Sequence, residues 1–398
     1  MNPSLTQTKT PSLCFVHDWL VAMRGGEKVL EAMTKLFPDA PIYTLFLRRE
    51  KLSPFLQSRK IYTSFLQIIP GMWRFYRWLL PIFPIAVRML NLQPYDIVIS
   101  SSHCVAKAAR VRNQSTHICY CHTPMRYLWG FEEDYLGKFP RIIRWLIERY
   151  FKRLRKWDIK TSQKVDVFVA NSENTATKIR ELYGKKALVV HPPVDVPDSA
   201  LTFNPHARPD RPYFLIVSAL VPYKKIDIAI EALNRLKLPL KIVGEGPLRD
   251  RLEKMVRFDG IQLLGLVDSE TLWHHYAACQ ALIFPGEEDF GIVPLEAQWF
   301  GKPVIAYGKG GALETVLAVN DRNQMRLPQE STGLFFYTST AEALAEAVRS
   351  FQKIKFEEAV IRAHARRFGR DRFEREFLSA LEPFYDPEKW EKNIAVNP

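Results

Sequence analysis

Two carboxylates with seven residues between them, Glu288 and Glu296, stand in the stretch 281–316, ALIFPGEEDFGIVPLEAQWFGKPVIAYGKGGALETV. The apolar run Ala281-Leu282-Ile283-Phe284 reads as a buried strand. Pro285 and Gly286 stop it, an acidic glycine-bearing loop follows, and Pro294 suits the first turn of a helix that Gly301 closes. One carboxylate then sits on the loop and the other about a turn into the helix, so both can face one cleft. The amides of Phe290, Gly291, Ile292 and Val293 lie near the helix start, where free N–H groups and the positive dipole end favour a phosphate. Carboxylates for hydroxyls and amides for a diphosphate are what a sugar nucleotide requires. The glutamate pair alone would equally describe solvated helix charges.

Three further groups carry candidate chemistry. Arg24-Gly25-Gly26-Glu27 follows a short first strand, Leu13–Val16, that ends at His17-Asp18-Trp19. Paired glycines there let backbone and phosphate approach closely, although such pairs also make plain turns. Lys224 and Lys225 follow the strand 213–218 and the loop Ala219-Leu220-Val221-Pro222-Tyr223. His122 ends the strand 117–120 inside YCHTPMRYLW; a lone histidine in that place is also a common satisfied structural group.

The stretch FPGEEDFGIVPLEA, with GKPVIA and GGALE behind it, resembles the E-x7-E region of the retaining glycosyltransferases of family 4 (group 1). Arg24-Gly25-Gly26-Glu27 resembles the amino-terminal GG-x-E loop of that family, and YCHTPMRYLW is similar to its mannosyltransferase-like branch. The resemblance covers nearly the whole chain and implies the GT-B fold: α/β, two Rossmann-like domains with parallel sheets facing each other across a cleft. It implies that Glu288 binds the sugar hydroxyls and steadies charge near the anomeric carbon, and that Glu296 holds the nucleotide ribose. Lys224, with the Gly25 and Gly26 amides, would stabilise charge on the departing diphosphate, and His122 would line the reaction centre. One residue departs from the family pattern. Ala219 stands where an arginine usually binds the diphosphate, which leaves that work to Lys224 with Lys225 or Arg24. No Asp-x-Asp motif of metal-dependent transferases is present, so neither metal nor cofactor is expected.

The elements that must position these residues alternate. Strands at 97–101, 117–120 and 165–170 precede the helix Glu173 to Tyr183 and a last strand and exit over 189–195. A second strand–helix series starts at Tyr213, runs through the amphipathic helix Ile226 to Leu236, and continues at 240–243, 261–264 and 281–284. Alternation of this kind predicts parallel sheets covered on both faces. The expected division is a first, acceptor-side domain 1–196, a polar proline-rich linker 197–212, a nucleotide-sugar domain 213–385, and a tail 386–398 that crosses back to the first domain or packs on its own.

Composition sets the limits. The 398 residues are 47% apolar and 25% charged, as in a folded globular chain. Residues 1–10 are polar and the apolar run behind them is too short for a signal peptide; no stretch approaches the roughly 20 apolar residues of a membrane span. Five scattered cysteines point to reduced thiols and a cytoplasmic location, and Cys119-Tyr-Cys121-His122 lacks the second ligand pair of a metal site. A net charge of +13 favours an anionic partner. Two segments concentrate it: Phe65–Leu92, with Trp73, Phe75, Tyr76, Trp78 and Phe83 among arginines, and Lys138–Lys160, with nine Lys/Arg against two acidic residues. Such segments suit the headgroups of an anionic membrane, which places the protein on the inner face of the cytoplasmic membrane, or else a core stripe with a solvated basic face. No nucleic-acid motif accompanies them.

The function expected is therefore transfer of a hexose from a nucleotide sugar, GDP-mannose first and UDP-hexoses behind it, to a lipid-linked or glycan acceptor. The rivals are another GT-B enzyme, such as a glucosyltransferase or a sugar-nucleotide epimerase, and a membrane- or nucleic-acid-binding protein without catalysis. An NAD oxidoreductase is excluded because Gly244-Glu245-Gly246-Pro247 lacks the third glycine of the dinucleotide turn.

Overall fold

The computed structural model describes residues 11–130, 140–197 and 212–384. The expected tail 386–398, and the expected linker apart from its end residues 197 and 212, lie outside these. The chain forms two compact units. Of the described residues, the first takes those up to Asn171, then Thr175–Val190, and those from Phe373 on; the second takes Ser172–Asn174 and those from His191 to Arg372. Residues Glu173 and Asn174 join the second unit because their amides donate to the Glu314 carboxylate, at 2.8 and 2.9 Å.

In the first unit seven parallel strands, β1 (Leu13–His17), β2 (Ile42–Thr44), β3 (Ile61–Thr63), β4 (Ile97–Ser102), β5 (Thr116–Cys121), β6 (Val167–Ala170) and β7 (Ala187–Val189), lie in the order β3-β2-β1-β4-β5-β6-β7. Every residue of β1 and β4 is buried, which is why Leu13–Val16 and the start of β4, Ile97-Val98-Ile99, read as apolar runs without alternation. Alternation survives in which core each residue joins. Phe15, Ile99 and Tyr120 pack with Val29, Leu30 and Met33 of helix α1 (Gly25–Lys35). Cys14, Val16 and Val98 pack on the opposite face with Phe83, Val87, Phe151 and Leu154. Helix α1 begins at the paired glycines, so these form its first turn instead of a loop ahead of it.

The segment 65–92 is a chain of short helical turns, as its prolines require, ending in the helix Phe83–Arg88. The second basic segment forms helix α2 (Arg141–Ser162). Its Phe151, Leu154, Asp158 and Ser162, three or four residues apart, are buried, and this stripe holds it on the sheet. Asp158 ion-pairs with the buried Lys107 and accepts from Trp129 Nε1 (3.0 Å) and the Tyr183 hydroxyl (2.8 Å).

In the second unit six parallel strands, β8 (Phe214–Val217), β9 (Leu240–Val243), β10 (Ile261–Gly265), β11 (Ala281–Phe284), β12 (Val304–Tyr307) and β13 (Gly333–Phe336), follow the order β10-β9-β8-β11-β12-β13. Helix α3 (Ile226–Leu236) buries Ile226, Ala229, Ile230 and Leu233 at helical spacing, as its periodicity predicts. Helix α4 (Ile292–Trp299) follows β11.

The last described helix, α5 (Arg370–Leu381), corrects the expected extent of the second domain, 213–385. Phe373 and Phe377, one turn apart and stacked at 5.5 Å between ring centroids, are buried in the first unit beside Phe15 and Tyr120. Burial of each ring contributes about 1.5–3 kcal/mol, which fixes the segment to that core. Gly369 separates the helix Glu358–Arg366 from α5.

Candidate active site

In each sheet the strand order reverses beside the strand that opens the series: between β1 and β4 in the first, between β8 and β11 in the second. Loops leaving the carboxyl ends of neighbouring strands at such a point diverge and leave room for a ligand.

In the second unit these loops bring Lys224 and Glu288 together, 64 positions apart in sequence, and the two side chains form an ion pair. Gly286 makes the approach possible. A Cβ there would lie 2.7 Å from the Tyr223 carbonyl oxygen and 2.8 Å from the Lys224 Cα, so the Lys224 backbone rests on a position that tolerates only hydrogen. The Gly311 amide donates to the Glu288 carbonyl at 2.7 Å, which ties this loop to the glycine-rich turn after β12. Gly291, at φ 96°, takes the left-handed conformation that opens α4, so the amides of Ile292 and Val293 stand in its first turn. The Phe290 ring belongs to the core, stacked on His191 at 5.3 Å. Lys225 is exposed and, at φ 53°, caps the start of α3. Ala219 precedes Leu220, whose amide donates to the Glu245 carbonyl at 3.0 Å and pins this loop to the turn after β9.

Glu296 is engaged separately. It is 6% exposed and accepts a hydrogen bond of 2.9 Å from the Tyr276 hydroxyl. Burial, and after it the neighbouring carboxylate, raises the Tyr276 phenol well above its ordinary value, so it remains a donor to Glu296.

In the first unit the same-face alternation of the strands continues past the apolar core into polar residues. His17 ends β1 and pairs in register with Ser101 of β4, which pairs with Tyr120 of β5; His122 lies two residues further along. The Ser101 hydroxyl joins both imidazoles, His17 Nδ1 at 3.0 Å and His122 Nε2 at 2.8 Å. Gly26, in the first turn of α1, comes against the same two rings: a Cβ there would lie 3.7 Å from His122 Nε2 and 3.8 Å from His17 Cε1. Asp18, fully buried, accepts from the amides of His103, Cys104, Val105 and Ala106 at 2.6–2.9 Å and anchors the turn after β4. Burial, with His103 beside it, holds the His17 imidazole down to about 3, despite the opposing pull of Asp18. Glu27, third in α1, receives the Arg24 amide at 3.1 Å, and burial pushes its carboxyl up to about 7.

Sequence reading thus named Lys224, Glu288, Gly26 and His122 but missed the residues that hold them: Gly286, Tyr276, Ser101, His17 and Asp18. For Gly286, Ser101, His17 and Asp18 the signal was present as polar residues or glycine at the carboxyl ends of apolar strands; Tyr276, on the helix Ser269–Ala278, gave none. All five cysteines are unbridged and buried. Among the described residues no group of three or more His, Cys, Asp or Glu is placed to hold a metal ion.

Residues 23–197 match the family model Glycosyltransferase Family 4, and residues 198–368 match Glycosyl transferases group 1. The chain is 32% identical over 178 residues to the GDP-mannose-dependent alpha-(1-6)-phosphatidylinositol monomannoside mannosyltransferase of Mycolicibacterium smegmatis, spanning 38% of this chain and 47% of that one. Over 100 residues, 24% of this chain and 27% of the relative, it is 32% identical to the O-antigen chain mannosyltransferase C of Escherichia coli. It therefore spans less than half the length of these curated relatives. The structure of Anabaena HepE in complex with UDP and glucose has the same fold, with a TM-score of 0.65 at 17% identity over 94% of this chain and 99% of that one.

Proposed function

This chain belongs to glycosyltransferase family 4, and from that premise we propose that it transfers a hexose from a nucleotide sugar to a lipid-linked or glycan acceptor, with retention at the anomeric carbon. The observation that carries the reading is the Lys224–Glu288 ion pair at the point where the second sheet reverses. A cation for phosphate and a carboxylate for hydroxyls stand together there, each satisfying the other. Donor binding exchanges partners: Lys224 turns to the diphosphate, and Glu288 is released to the sugar hydroxyls. The first-turn amides of α4 hold the diphosphate, and those of Gly25 and Gly26 add to the stabilisation of its departing charge. Glu296, oriented by Tyr276, takes the ribose, and His122 lines the reaction centre.

GDP-mannose is the first donor to try, because the M. smegmatis relative is named for it; UDP-hexoses follow, because the structurally similar HepE was solved with UDP and glucose. The acceptor side rests on the first unit. There Ile68, Trp78, Ile85 and Met89 of the segment 65–92 and Ile142, Ile143, Trp145 and Leu146 of α2 are exposed, Trp78 to 68% and Ile142 to 76%, among exposed Arg and Lys. We read these as seating the protein on the anionic, cytoplasmic face of a membrane that carries the acceptor. Among the described residues no helix is long and apolar enough to cross a membrane.

The test is incubation of the full chain with a panel of nucleotide sugars, with and without chelator, following nucleoside diphosphate release. Slow hydrolysis of one donor, unaffected by chelation and giving the sugar with its anomeric configuration kept, is expected. Interconversion of the donor sugar without release would make the protein an epimerase; neither binding nor turnover of any nucleotide sugar would overturn the reading.

A further inference from the structure

The Ser101 hydroxyl has one proton and two lone pairs and bonds to two imidazole nitrogens; if both rings donated to it, its own proton would have no acceptor among the described residues, so its two contacts are unlike. One nitrogen must donate to Ser101 Oγ and the other must accept from it. Two arrangements meet this. In the first, His17 Nδ1–H donates to Ser101, and Ser101 donates to a bare His122 Nε2. In the second, His122 Nε2–H donates to Ser101, and Ser101 donates to a bare His17 Nδ1.

The surroundings of His17 choose between them. This residue is 1% exposed and stays neutral, since burial opposes its charged form, so its ring carries one proton. Among the described residues His17 Nε2 has no hydrogen-bond partner. The second arrangement would put the proton there, as a buried N–H with no acceptor. The first leaves a bare nitrogen instead and buries no donor without an acceptor; among backbone groups, too, orphaned buried N–H groups are rarer than under-satisfied acceptors. The first arrangement therefore fixes the whole row: His17 Nδ1–H, Ser101 O–H, and His122 with a bare Nε2 and its proton on Nδ1. A proton passed the other way, from His122 through Ser101, would have to charge His17 in the site that most resists it.

We propose that Ser101 and His17 are positioning residues that clamp His122 in its Nδ1–H tautomer, so that His122 serves the reaction as a hydrogen-bond donor to a substrate oxygen and not as a base. The consequence for catalysis rests on the placement of His122 at the reaction centre; the tautomer itself does not.

The two parts are measured separately. Nitrogen-15 spectra of the full chain labelled at histidine distinguish bare from protonated ring nitrogens, and the His122 signals are those lost in His122→Gln. A protonated Nδ1 and bare Nε2 are expected in the unsubstituted protein near neutral pH; a protonated Nε2 overturns the clamp without recourse to any variant. Ser101→Ala is expected to move His122 toward the Nε2–H form that free neutral histidine prefers. It should also lower kcat about tenfold, worth about 1.4 kcal/mol, with the donor KM within about twofold. Ser101→Thr, which keeps the hydroxyl, should restore both. A Ser101→Ala protein with the original tautomer and kcat overturns the proposal. If His122→Gln keeps full kcat, the placement of His122 at the reaction centre fails, and the donor role fails with it, whatever the tautomer.

Discussion

Glu27 should make the stability of the first unit fall as pH rises through neutrality, the reverse of a salt-bridged carboxylate. Burial raises its carboxyl from 4.5 to about 7, against the opposing pull of its own amide and of Arg24. Below pH 4.5 both folded and unfolded chains hold the proton, and Glu27 contributes nothing to pH dependence. Between 4.5 and 7 the folded chain keeps a proton that the unfolded chain has released, so stability drops as pH rises. Above 7 both are ionised and the full cost remains: about 2.5 pKa units at 1.36 kcal/mol each is about 3 kcal/mol. Glu27→Gln removes this titration while its amide oxygen can still accept from the Arg24 amide. The variant should match the unsubstituted protein at pH 4 and exceed it by about 3 kcal/mol at pH 8. Native-state hydrogen exchange of β1 amides, compared between the two proteins at each pH, reads the first unit alone. His17 and His117, held down to about 3 and about 4 by burial, weaken the fold as pH falls below 6.5, but equally in both proteins, and so cancel in the difference. A difference that does not change between pH 4 and 8 would refute the argument.

Other outcomes follow from the same geometry. Glu296→Gln should chiefly weaken nucleotide binding and Glu288→Gln should chiefly lower kcat; calorimetry showing undiminished nucleotide affinity in Glu296→Gln would remove the ribose assignment. Gly286→Ala, by pushing the Lys224 backbone off its seat, should reduce donor affinity and kcat at least tenfold in a folded protein, and normal turnover would disprove the wedge. Asp158→Ala strands the buried Lys107 ammonium and should cost about 3–5 kcal/mol; a loss under about 1 kcal/mol in chemical unfolding of the first unit would contradict it. The protein should float with anionic vesicles, weakly with neutral ones, and be partly released by salt. Changing the exposed Arg149, Lys152, Arg153 and Lys156 to glutamine should weaken that binding by roughly 1 kcal/mol per charge; an unchanged quadruple variant would leave α2 as packing alone.

Most strands of both sheets were legible because strands buried on two faces read as apolar runs, and α3 because one helix face carries its apolar residues; β13 was missed. The strands of three residues, β2, β3 and β7, were too short to signal, and the last strand of the first unit closes at Val189, where the sequence reading had begun it. The candidate site was legible where one loop holds it, as with Glu288 and the α4 amides. It was not legible where residues meet because two strands are neighbours: Lys224 reaches Glu288 only because β11 lies beside β8, a crossover that no local pattern contains. Ser101 was missed because serine in an apolar strand looks like filler until the residues on the neighbouring strands are known. The end of the second domain was misplaced because Phe373 and Phe377 show a buried helix face without showing which core buries it.

The membership of Phe373 and Phe377 in the first unit also orders events on the ribosome. Val190 ends the amino-terminal part of that unit, and Phe373 arrives 183 positions later. At roughly 5–20 residues per second, synthesis of the intervening chain takes about 10–40 s. Throughout that interval Phe15, Leu30 and Tyr120 lack the two rings that seal their core, while the second unit is completed first. A nascent chain of this protein therefore carries an open apolar seam for longer than it takes most domains to fold, and chaperones that hold such seams are expected to engage it before release, not after.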